Sequence, residues 1–100
     1  MEASLAKDPL PLQQSAVRGA EASLLLEHPL FQEMLSGQIE AATQALLATP
    51  VADHDDRLAL CTVLRVLRSF KSGLEQIKSS GQFDAAQLAR MTKESVNGLA

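Results

Sequence analysis

The chain of 100 residues predicts an all-α fold, and three observations carry that prediction. Apolar residues supply 46% of it but aromatics only 3%, with no Trp or Tyr; the remainder is mostly Leu and Ala, which form helices well and argue poorly for a sheet. Apolar positions recur in steps of three and four residues. Pro29 and Pro50 fall between the periodic segments, where helices should break. The expected architecture is an antiparallel helical hairpin with additional N- and C-terminal helices, a small helical bundle. Residues 1–12 read as an extended arm and 13–100 as a single helical domain, with the hairpin core at 29–80. A chain of this size buries only roughly two thirds of its unfolded surface, so help from a partner chain is expected.

The arm carries Pro9 and Pro11 alternating with Leu10 and Leu12. Proline fixes φ, removes an N–H donor and pushes the preceding residue out of the α region, so no helix is expected through it. Leu10 and Leu12 would then be free to dock the arm on another subunit. From 13 to 27 the sequence reads as a helix with Val17, Ala20, Leu24 and Leu25 on one face and Arg18 and Glu21 off it, weakened at Gly19 by up to about 1 kcal/mol. His28-Pro29 ends it and starts the next helix, with Pro29 in the first turn and His28 read as a cap or surface residue rather than a ligand.

That next helix should run over 29–48, with Phe31, Leu35, Ile39, Ala42 and Leu46 on one stripe that Leu30 and Met34 broaden. Pro50 closes it. Asp53, Asp55 and Asp56 then offer oxygens and negative charge to the first turn of a long helix over 53–81. Leu60, Val63, Leu67, Phe70, Leu74 and Ile77 form its seam, and the short connection returns it antiparallel to the helix before. Gly81 is read as its left-handed terminator and 79–82 as a turn. Asp84 and Gln87 make a capping box for a last short helix, with Leu88, Met91 and Val96 inward and Asn97-Gly98 at its end.

The chemistry-bearing residues exclude more than they suggest. The 53–56 cluster lacks the register and distal Glu of a calcium loop, and one His without a thiolate is a poor zinc site, so no metal and no cofactor is expected. Cys61 sits in an apolar helix and reads as a small buried hydrophobe, and it cannot form an internal disulfide. Arg57, Arg65, Arg68, Lys71 and Lys78 form a basic flank, read as a solvated face that neutralises Glu33 and Glu40 across the hairpin; its functional reading is that the flank, with Arg65, Arg68 and Lys71 facing the partner, meets an acidic protein or a phosphate backbone. A net charge of −3 argues against nucleic acid and anionic membranes, and no apolar stretch approaches the span of a bilayer. No nucleophile, base and orienting group can be assigned together, so no enzyme and no small-molecule substrate is expected. The default product is cytosolic and soluble.

His28-Pro29-Leu30-Phe31 opening a helix, the exit at Thr49-Pro50, and Asp55-Asp56-Arg57 leading into Leu60, Leu64, Leu67, Leu74 and a Gly-containing turn make a combined pattern. It resembles short helical-hairpin proteins encoded among the structural genes of tailed bacteriophages, over residues 26–88. The resemblance implies a noncatalytic virion-associated or assembly protein in the cytoplasm of an infected bacterium, with no catalytic residues to transfer. The expected function is therefore a structural module that binds itself or a larger protein. The alternative is a small inhibitor or adaptor that presents one helix face to a host protein.

Overall fold

In the computed structural model, which describes residues 8–99 and side chains through Glu94, the protein is all-helical: α1 spans Pro9–Glu27, α2 spans Pro29–Ala48 and α3 spans His54–Leu99. No strand occurs among the described residues. They divide into two compact units. One joins the residues through Leu24 with those from Glu75 onward, and the other is Leu25–Leu74.

The first helix begins at Pro9, four residues earlier than its sequence suggests, so residues 9–12 are helical and not an extended arm. The reason is local. Asp8 accepts the Leu10 N–H at 3.0 Å as an N-cap, and Pro9 and Pro11 then occupy first-turn positions whose N–H groups would find no helical partner anyway. Residues 1–7 of the expected arm lie outside the described residues.

Two prolines set the breaks. His28 and Thr49 each precede one, and each is extended, at φ −69°, ψ 122° and φ −80°, ψ 129°. His28 also caps α2, its Nδ1 accepting the Leu30 N–H at 3.2 Å. At the far end Thr49 donates its hydroxyl to the Ala45 carbonyl at 2.7 Å. The third helix opens with the Asp53 carbonyl accepting the Arg57 N–H at 3.0 Å, and Asp55 and Asp56 sit in its first turn at the positive end of the dipole.

The long helix does not stop at Gly81. It runs unbroken to Leu99, so the expected turn at 79–82, the separate last helix capped by Asp84 and its end at Asn97-Gly98 are all replaced by one 46-residue element. Glycine in a helix costs only about 1 kcal/mol and serine less, a penalty that packing readily offsets. The side chain of Val96 lies outside the described residues.

Candidate interaction surfaces

Within the unit Leu25–Leu74, α2 meets α3 through side chains. Phe31, Leu35, Ile39 and Leu46 of α2 and Leu60, Leu64, Leu67 and Leu74 of α3 are half-buried, and Ala42 is buried. The Phe31 and Phe70 rings lie 6.2 Å apart between centroids and are tilted by 53°, within the range of a favourable aromatic pair. Arg57 reaches back to donate to the carbonyls of Thr49 at 2.9 Å and Leu46 at 3.3 Å. Those carbonyls close α2, that of Leu46 also accepting the Thr49 N–H at 3.2 Å, so Arg57 is a C-terminal cap for the neighbouring helix and not part of a solvated flank. Gln32 Nε2 donates to the Leu26 carbonyl at 2.8 Å and closes the other end.

The other unit is built on glycine. A Cβ placed on Gly19 of α1 would stand 2.6 Å from the Gly81 Cα, and one placed on Gly81 would stand 2.5 Å from the Gly19 Cα and 2.8 Å from the Ser15 carbonyl oxygen. Only two residues without side chains let the helices approach so closely. Gly19, Gly81 and Ala22 are buried there. Beside this crossing an open groove of about 470 Å³ is lined by Pro11, Ser15 and Arg18 of α1 and Gln76, Ile77 and Ser80 of α3. On α1, Leu10, Val17 and Leu24 stand exposed at seven-residue intervals.

The expected seam is brought together in large part, with Val63 turned outward and Phe70 partly exposed although its ring meets Phe31. Val63 is 46% exposed and Phe70 52%, while Leu64, one residue on from Val63, turns inward. Ile77 is half-buried, in the unit that contains Gly81. Of the residues expected to face a partner, Leu10, Arg65, Arg68 and Lys71 are exposed and Leu12 is half-buried. Among the described residues no ion pair joins Glu33 or Glu40 to Arg65, Arg68 or Lys71; Glu40 instead accepts from Gln44 Nε2 at 2.9 Å. Cys61 is exposed, contrary to its reading as a buried hydrophobe, because it falls on the side of α3 away from the inward leucines.

The glycine crossing escaped sequence reading altogether. Its one signal is the spacing Ser15, Gly19, Ser23, small residues four apart on one helix face, matched on α3 by Gly81 and Ala85, also four apart.

Chemically these surfaces offer apolar area, amides and scattered charges. Among the described residues no group of three or more His, Cys, Asp or Glu is placed to hold a metal ion, and no helix is long and apolar enough to cross a membrane. The geometry thus defines an all-helical protein with exposed apolar faces. Comparison with protein families, with curated proteins and with solved structures found no match to the chain.

Proposed function

We propose that this protein is a non-catalytic helical assembly module: α2 and the part of α3 up to Leu74 pair as an antiparallel hairpin, and its exposed apolar surface binds copies of itself or a larger protein. One observation carries the reading. Among the described residues only Gly19, Ala22, Ala42 and Gly81 are buried, all of them small, while thirteen large apolar side chains are exposed. Ordering the backbone costs about 1–2 kcal/mol per residue, and so thin a core offsets little of it until a partner covers the rest. The antiparallel pairing is supported by Phe31, near the start of α2, meeting Phe70, and by the Leu46 and Thr49 carbonyls, near its end, receiving Arg57. A virion-associated or assembly role in a bacterium infected by a tailed phage fits the helix lengths and loop chemistry of residues 26–88.

A second reading draws on α1. Leu10, Val17 and Leu24, exposed at seven-residue intervals, form the anchor row of a helix that lies in a partner's groove, as a small inhibitor or adaptor would use it. Replacing Leu67 and Phe70 together with alanine separates the two. The assembly reading expects the double variant to lose both helicity and association, measured by circular dichroism and light scattering. Association that survives it would overturn that reading and favour α1.

A further inference from the structure

We propose that His28 is a pH-sensitive cap: as the neutral imidazole it holds the first turn of α2, and with it Phe31 at Phe70, and on protonation it lets that turn go.

The geometry assigns the acceptor. Nδ1 takes the Leu30 N–H at 3.2 Å, and a ring nitrogen accepts only through a lone pair that protonation removes. The other bonds at this end do not respond to pH: the His28 N–H reaches the Leu25 carbonyl at 3.2 Å, the Gln32 N–H reaches the His28 carbonyl at 3.0 Å, and the Gln32 side-chain amide reaches the Leu26 carbonyl. Pro29 has no N–H to hold. Charge works in the same direction, because α2 has no Asp or Glu in its first turn to balance a cation at the positive end of the dipole. The sign follows. The stabilisation is present while the imidazole is neutral, ordinarily above about pH 6.5, and is lost as pH falls through that range.

The three helix starts differ in this respect. The Asp8 carboxylate caps α1, and α3 carries Asp55 and Asp56 in its first turn. Carboxylates ordinarily stay ionised down to about pH 5, so α2 alone rests on a group that changes charge near neutrality. The charged residues around this end are Glu27 beside it on α1, which has a partner of its own, Glu33 on α2, and Lys71 and Glu75 in the turns after Phe70 on α3. None belongs to a class that ordinarily titrates between about pH 7.5 and 5.5. The chain's other histidine, His54, opens α3. Phe31 is the third residue of α2, inside the turn that the cap holds, and its ring is the α2 half of the contact with Phe70. Acid therefore acts on the α2–α3 seam as well as on a helix end.

Amide exchange and NMR on the full chain, at about pH 7.5 and about pH 5.5, test this. With intrinsic rates divided out, His28→Asn, which caps at both, should match the native protein at the higher pH. At the lower it should exceed the native protection of Phe31 to Glu33 about fivefold, the worth of one cap. His28→Ala should be equally unprotected at both, and His54→Asn should leave the response whole. On the native chain, which needs no variant to fold, the Leu30 amide and the His28 ring should shift through one midpoint, and the Phe70 ring signals should follow. A native protein that tracks His28→Asn at both pH values, one that matches His28→Ala at the higher pH, a response abolished by His54→Asn, or a Leu30 amide blind to the His28 ring would each overturn the inference. Phe70 signals that stay fixed while Leu30 moves would overturn its reach to the seam.

Discussion

At Gly19 and Gly81 two helices touch backbone to backbone, whereas at Phe31 and Phe70 two helices are held apart by rings whose centroids lie 6.2 Å from one another. The first contact hides very little apolar area and depends on shape: removing two side chains lets carbonyl and Cα atoms of one helix pack on the other, the dispersion contact of a close-packed interior without its bulk. The second depends on area and forgives small changes of shape, since the half-buried leucines and Phe31 and the exposed Phe70 can shift rotamer. A substitution of the same size should therefore have opposite consequences in the two units. That contrast is open to experiment.

The largest effect should come from adding one methyl group at the glycine crossing. Gly81→Ala gains up to about 1 kcal/mol of helix propensity but sets its Cβ against backbone atoms that cannot rotate away, so the clash wins and the net loss should be about 2–3 kcal/mol. Gly19→Ala should behave alike, because its Cβ would meet the Gly81 backbone from the other side of the same contact. Chemical denaturation would measure both; stability equal to the native protein's would show that the helices do not touch at these residues.

An intermediate effect is expected at Arg57, whose guanidinium satisfies two carbonyls at the end of α2. Arg57→Ala should cost about 1–2 kcal/mol, and the loss should be localised. Amide hydrogen exchange should speed up in the last turn of α2 while the first turn, held by His28, stays protected. Uniform acceleration through the helix would mean that Arg57 does not act as a cap.

The smallest effect sharpens the comparison by reversing its sign. A Cβ at Gly37 or Gly73 would meet nothing within 4 Å. Gly37→Ala and Gly73→Ala should each stabilise the protein by about 0.5–1 kcal/mol through helix propensity alone. A rise in thermal midpoint for these two, beside a fall for Gly81→Ala, would locate the backbone contact without further structural work; a fall at all four would dissolve the distinction.

How far these features can be read from sequence follows from how local their causes are. The bounds of α2 are legible because each is made by adjacent residues: a proline forces the residue before it into extended backbone, and His28 caps two positions on. The seam is legible as a stripe but not to the residue, since steps of three and four fit a period of 3.6 on two neighbouring stripes. Val63 and Leu64 satisfy it almost equally, and only contact with α2 turned Leu64 inward. Pro9 and Pro11 misled because the same two residues stop a helix in its interior and are harmless in its first turn; Asp8, the cap that decides between these, is one residue away.

By itself, then, the sequence determined the helical class, the breaks at His28-Pro29 and Thr49-Pro50, and the acidic start of α3, because each follows from composition or from backbone chemistry within a few residues. Tertiary structure alone decided that α3 continues through Gly81. A glycine after two serines carries a local preference of only about 1 kcal/mol either way. Its partner, Gly19, lies 62 positions earlier in the chain, where no local rule can reach.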